Sequence, residues 1–193
     1  MAQRESTFTN MVVTLLLVTA VAATALGFVY DLTKEAIEIA KQKAQAEAIM
    51  KVLPKYETLG ESFKVAADTE GDSLEVFPAF NGEEMVGMAV KTYTKKGFSG
   101  FISVMAGIDK DGNFSGYQVL EHAETPGLGS KMDVWFNNPD KPNQNVIGKN
   151  PKTTKLEVVK DGGEIDAITA STITSRAFLE ALQRAYKAYE ENK

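Results

Sequence analysis

The sequence predicts an α+β domain, an antiparallel sheet packed by helices, carried behind one N-terminal transmembrane helix. Three observations predict it. Met11 to Tyr30 is a run of 20 residues without a charge. Strand-like runs between Leu74 and Glu121 follow one another across short turns, which joins neighbours as hairpins and not through crossover helices. A Gly-free and Pro-free segment with helical apolar spacing closes the chain.

Composition bounds the function before any motif is considered. In 193 residues, 21 Lys and Arg stand against 26 Asp and Glu, a formal charge of −5, with one His and no Cys. Without cysteine the chain holds no disulfide, zinc ribbon, iron–sulfur cluster of its own or thiol nucleophile. The acidic balance argues against nucleic acid as a partner, because phosphates are normally met by a basic face.

At about 1.5 Å per residue, a helix over Met11–Tyr30 spans roughly 30 Å, enough to cross a bilayer. The rival reading is a cleaved signal peptide, with Arg4 ahead of the run and Ala20, Ala22, Ala23 and Ala25 as small residues for a peptidase. The run exceeds the about 7–15 apolar residues of a usual signal core, which favours an anchor. Lys34, Lys41 and Lys43 follow the span while Arg4 and the terminal amine precede it, so the positive-inside count leaves orientation open. Residues 1–30 are read as arm and membrane helix, 31–72 as an amphipathic helix with a connecting segment, and 73–193 as the folded domain.

Asp31 to Leu53 lacks Gly and Pro and sets Leu32, Ala36, Ile39, Ala40, Ile49, Val52 and Leu53 at largely helical spacings, so it reads as a helix stopped by Pro54. Strands are expected over Leu74–Phe80, Met85–Thr94, Phe101–Ile108 and Phe114–Glu121, with Asn81-Gly82 turning the first pair. Asp109 to Asn113 resembles the start of a calcium loop, but its Gly is fourth instead of sixth and Leu120 takes the twelfth position. A hairpin turn explains it sufficiently. His122 to Asn150 is loop-rich around the only Trp, Trp135, and Lys155 to Lys160 reads as a short final strand. From about Thr172 to Glu190, Phe178, Leu182, Tyr186 and Tyr189 recur at i, i+4, i+8 and i+11 and mark a helix that packs on the sheet.

The densest hydroxyl cluster is Thr169, Ser171, Thr172, Thr174 and Ser175, following Asp166 at the start of that helix. Two readings stand side by side: capping of the orphan first-turn amides, or a phosphate site at the positive end of the helix. Glu124-Thr125-Pro126-Gly127-Leu128-Gly129 reads as a rigid turn. Neither GLGSK nor GFSG has the context of a nucleotide fingerprint. His122 has no partner His or Cys for a metal, and no G-x-S-x-G elbow supports a serine hydrolase.

Asp166-x-x-Thr169-x-x-Thr172 followed by Ile-Thr-Ser-Arg-Ala, with His122-Ala-Glu-Thr-Pro-Gly-Leu-Gly129 upstream, resembles the FMN-binding domain of respiratory flavoprotein subunits. The likeness is to the G subunits of Rnf ion-translocating electron-transport complexes, and the C subunits of sodium-translocating NADH:quinone oxidoreductases share both motifs. It covers nearly the whole chain. The resemblance implies FMN joined by a phosphoester to Thr172. It also implies Thr125 at a ring edge, Leu128 over a ring face, Gly129 letting main-chain amides approach the flavin, and Thr169 as a capping or orienting residue. Ser171 and Thr174 are the neighbouring hydroxyls, and Asp166 is a recognition residue for the modifying enzyme. No catalytic residue and no metal ligand follow from it. Arg176 either reaches back to the phosphate or is a solvated surface residue. His122 is a structural or redox-site polar contact, and Trp135 and Phe136 are core or loop anchors, or an aromatic edge near the flavin.

Two positions depart from the family pattern, since Ala170 and Ser171 stand where Gly and Ala are usual. The methyl of Ala170 enters backbone that needs to be tight, and Ser171 sets a second hydroxyl beside the acceptor. The resemblance further implies a single-pass protein of the cell inner membrane with its flavin domain on the extracytoplasmic face. Its partners would be the other membrane and redox subunits of a complex coupling electron flow between ferredoxin and NAD to ion movement. A flavin transferase using FAD and magnesium would mature it. Redox chemistry belongs to the flavin, so the chain is not expected to catalyse alone. The alternative class is a non-catalytic tethered ligand-binding or scaffold module whose hydroxyl-rich segment only caps its helix.

Overall fold

A computed structural model describes residues 7–67 and 72–193; Arg4, used in the signal-peptide reading, lies outside them. The first helix, α1, runs unbroken from Phe8 to Val52, so the apolar span and the polar helix after it are one element. Only Gly27 disfavours helix between Met11 and Val52, at about 1 kcal/mol, and the first proline is Pro54. The Thr19, Thr24 and Thr33 hydroxyls donate to the carbonyls of Leu15, Ala20 and Val29 at 2.8 to 2.9 Å, which satisfies them without water. α1 is long and apolar enough to cross a membrane, and none of its apolar stretch is buried in protein. The chain divides into two compact units, one up to Lys43 and the other Ala44–Lys193.

The second unit is built on an antiparallel six-stranded sheet: β1 Thr58–Leu59, β2 Phe63–Ala66, β3 Ser73–Asn81, β4 Glu84–Gly97, β5 Gly100–Asp109 and β6 Phe114–His122. The order is β1-β3-β4-β5-β6, with β2 also paired to β3. Period-two alternation sorts the side chains onto two faces. Leu74, Val76, Met88, Val90, Ile102, Val104 and Ile108 belong to the larger core, and Phe77, Ala79, Ala89 and Met105 to the smaller.

Helix α3, Thr172–Asn192, following the short α2 of Met132–Trp135, covers the larger face. Its Phe178 is fully buried, stacks on Phe136 at 4.6 Å between ring centroids and meets Tyr117 edge-on at 4.9 Å. The Thr92 hydroxyl donates to the Ala181 carbonyl at 3.0 Å and ties β4 to the helix. Ala48, Ile49 and Val52, the end of α1, cover the smaller face. Here Gly107 and Gly116 are required by close approach, because a Cβ would come within 2.0 Å of the Val52 oxygen at the first and 2.8 Å of its Cα at the second. Ser115 Oγ donates to that same Val52 carbonyl at 2.6 Å.

The expected strand over Lys155–Lys160 is not formed. Leu156 and Val158 are buried in alternation, as a strand would bury them, but their segment never reaches the sheet. It pairs with its own return: Ile165 N–H donates to the Glu157 carbonyl and Val159 N–H to the Ile165 carbonyl, and Val159–Asp161 is a 3₁₀ turn. β1 and β2 fall in what was read as the connecting segment, being short and mostly exposed.

Candidate functional site

Three segments distant in sequence converge on one cavity of about 340 Å³. The β4–β5 hairpin supplies Phe98, the loop after β6 supplies Glu124, Thr125, Leu128 and Gly129, and the entry to α3 supplies Ala170 to Thr174. The fold thus assembles Thr125, Leu128, Gly129, Ser171, Thr172 and Thr174 around one space, whereas Thr169 is exposed and not part of its wall.

The entry to α3 is open in the way that matters for an anion. Ser171 occupies the N-cap position with φ −138° and ψ 44°, and its side chain makes no capping hydrogen bond. The first helical bond is Ser175 N–H to the Ser171 carbonyl at 3.0 Å, so the amides of Thr172, Ile173 and Thr174 have no acceptor among the described residues. Two of the hydroxyls are already committed. Ser175 Oγ accepts from Ile168 N–H and donates to the Ser171 carbonyl, both at 2.9 Å, and Thr174 Oγ1 donates to Glu124 Oε2 at 2.7 Å. Both residues are buried, while Thr172 is half-buried on the cavity wall.

Ala170, at the position where the family pattern has glycine, has φ +62° and is the one non-glycine residue with positive φ among those described. The left-handed conformation costs an L-residue about 1–2 kcal/mol, which glycine would not incur. Ala170→Gly is therefore expected to stabilise the chain by about 0.5–1 kcal/mol after the added freedom of the unfolded chain is subtracted. That is a rise of about 2 °C in the thermal midpoint, and a lower midpoint would show that the methyl contributes contacts that outweigh the strain.

The loop after β6 is tied to itself and also lines the cavity. Leu128 and Ser130 amides donate to the Thr125 carbonyl at 3.2 and 3.4 Å, and Gly127, at φ +76°, donates its N–H to Ser130 Oγ at 3.0 Å. Glu124, Phe98, Ala170 and Ile173 complete the wall and were not among the expected binding residues. Phe98 sits in the Gly97–Gly100 hairpin; its signal was the glycine pair flanking an aromatic, a turn that presents a ring. Glu124 is 5% exposed, and its Oε1 accepts from Ser99 N–H at 2.9 Å.

Several residues lie off the cavity. Arg176 is exposed and makes a two-pronged pair with Asp161, at 2.6 and 2.7 Å, which holds that carboxyl below the usual range. That pair leaves Arg176 on the surface and outside the cavity wall. His122 Nδ1 accepts from Glu124 N–H at 3.1 Å and its Nε2 stands 3.9 Å from Asp133. Burial pushes Asp133 above the usual carboxylate range, opposed by the nearby imidazole. Trp135 Nε1 donates to the Asp166 carbonyl at 2.9 Å and Phe136 is fully buried, so both anchor the loop.

Comparison with known proteins agrees with this geometry. The FMN-binding domain family matches residues 97–187, which contain every lining residue of the cavity. The chain is 34% identical over 192 residues to the G subunit of the ion-translocating oxidoreductase complex of Aliivibrio fischeri, covering 89% of this chain and 87% of that one. It is 32% identical over 190 residues to the G subunit of the Na(+)-translocating ferredoxin:NAD(+) oxidoreductase complex of Acetobacterium woodii, covering 91% and 88%. The corresponding G subunit of Methanosarcina acetivorans is 29% identical over 181 residues, 92% of each chain. With likeness running nearly end to end and both motifs meeting at one cavity, the chain belongs to the family of G subunits of ion-translocating oxidoreductase complexes.

Proposed function

We propose that this chain is a membrane-anchored electron-transfer subunit of an Rnf-type ferredoxin:NAD oxidoreductase complex, and that its cavity holds FMN through a phosphoester to Thr172. The observation that carries the assignment is the state of the hydroxyls. Thr174 and Ser175 are buried and hydrogen-bonded, Thr169 is off the wall, and Ser171 is only 8% exposed. Thr172 is more open, faces the cavity and spends its hydroxyl on no hydrogen bond among the described residues.

The residues present suit the group. Three unpartnered amides at the positive end of a helix of 21 residues favour a phosphate. Leu128 and Phe98 offer apolar surface to a flat ring, and Thr125 offers it a hydroxyl. Once bound, FMN supplies one- and two-electron transfer, while the chain orients it and limits its contact with water. Attachment from FAD balances as substitution at the flavin-side phosphorus: the Thr172 oxygen–phosphorus bond forms, the pyrophosphate bond breaks, AMP leaves and the hydroxyl proton is released. A flavin transferase is the partner this requires. Peptide mass spectrometry after co-expression with such an enzyme is expected to find FMN less one water on the peptide containing Thr172. The adduct on Ser171 or Thr174 would overturn the assignment.

The remaining subunits of the complex are the electron-transfer partners, and the domain beyond the span faces away from the cytoplasm. A covalent link retains the cofactor where a dissociable flavin would diffuse away. Protease added to intact spheroplasts is expected to digest the domain, with residues upstream of Met11 recovered by N-terminal sequencing. Protection until the membrane is permeabilised would reverse the orientation, and a mature chain beginning near Leu26 would make the span a signal peptide.

A further inference from the structure

Glu124 is a buried acid to which the assignments above give no part. Its two oxygens are each held by one hydrogen bond, Oε1 accepting from Ser99 N–H at 2.9 Å and Oε2 from the Thr174 hydroxyl at 2.7 Å. No lysine or arginine pairs with it among the described residues. Two glycines make room for it. A Cβ on Gly97 would stand 2.7 Å from Oε1, and one on Gly129 would stand 2.4 Å from Oε2. Glu124 as a residue is 5% exposed and still lines the cavity.

Burying a charge is costly, and here two donors offset the cost while no counter-ion cancels the field. We propose that Glu124 is a positioning and potential-setting residue: it clips the β4–β5 hairpin and the loop after β6 to the first turn of α3, and its negative charge makes the cofactor in the cavity harder to reduce. This rests on the reading of the cavity as the FMN site. The argument for the second half is Coulombic. Reduction adds negative charge to the flavin, and a fixed like charge on the cavity wall opposes it. The clip explains why the acid is held still, since a mobile carboxylate would turn to water.

The test is a spectroelectrochemical titration of the full chain carrying FMN, at one pH, in the parent and in Glu124→Gln. Gln keeps the shape and can still accept from Ser99 N–H while donating to the Thr174 oxygen, so it removes charge without removing the clip. The midpoint potential of E124Q is expected to move upward, the reduction equilibrium changing by about tenfold, which for a two-electron couple is about 30 mV. Glu124→Asp retains the charge and gives up the contacts; its potential is expected to stay near that of the parent. Coincident potentials for E124Q and parent would overturn the proposal, as would an equal upward shift in E124D, which would assign the effect to packing. Should E124Q fail to fold, Glu124→Ser, which removes the charge with a smaller polar side chain, carries the same titration against Glu124→Asp. Coincident potentials for E124S and parent, or equal shifts in E124S and E124D, would overturn the proposal. A chain that takes up no flavin fails before any potential is measured, and that result falls on the reading of the cavity.

Discussion

Thr172→Val is expected to abolish covalent flavin altogether while leaving the fold in place. Valine matches threonine in shape, and the hydroxyl it replaces makes no hydrogen bond among the described residues. No buried partner is stranded, so the cost in stability should lie within about 0.5 kcal/mol. The chemical cost should be total, because the oxygen proposed to bond phosphorus is gone. Intact mass and flavin fluorescence of the denatured chain measure it directly, and Thr172→Ser should regain part of the adduct because a hydroxyl persists. Flavin remaining on the valine variant at parental level would place the bond on another side chain.

Phe178→Ala should have the largest effect on stability, a loss of about 3–5 kcal/mol. The ring is fully buried between Phe136, stacked at 4.6 Å, and Tyr117, edge-on at 4.9 Å, so truncation forfeits its own transfer energy and both aromatic contacts. Against the usual stability of about 5–15 kcal/mol, that is enough to populate the unfolded state noticeably. Denaturant unfolding of the chain in detergent measures it, with Phe178→Leu expected to lose about 1–2 kcal/mol because most of the volume remains. A loss below about 1 kcal/mol for the alanine variant would mean that α3 is held to the sheet by contacts other than this ring.

The hairpins of β3 to β6 were legible because their runs are apolar and of strand length and because Asn81-Gly82 and Asp111-Gly112 mark turns between them, and α3 because Phe178, Leu182, Tyr186 and Tyr189 keep a helical interval. The same signal misled at Lys155–Lys160. Alternating burial of Leu156 and Val158 records which side chains face the core, and it says nothing of whether the backbone reaches a neighbouring strand. Two helices were expected where one runs, since a change from apolar to charged residues near Asp31 alters the surroundings of a helix without breaking its hydrogen bonds. At the site, Thr172, Thr125 and Leu128 could be read from local motifs. Glu124 could not, because its environment depends on Gly97 in one hairpin, Gly129 beyond it and Thr174 on α3, which only the folded sheet assembles.

The attachments of α3 reach far back along the chain. The Thr92 hydroxyl bonds to Ala181, Arg184 to the Tyr93 carbonyl and the Tyr189 hydroxyl to the Lys110 carbonyl, separations of 79 to 91 residues. Synthesis runs from the N-terminus, so the strands emerge first and the helix that covers them emerges last. Until it does, Val90, Ile102 and Val104 have no helix over them, and the nascent sheet offers an uncovered apolar face. A chain stalled or nonsense-terminated before Thr172 is left in that state permanently, without a complete core and without the residue proposed to take the flavin. Its expected fate is aggregation or proteolysis, so translation of α3 decides both whether the domain folds and whether it can ever carry an electron.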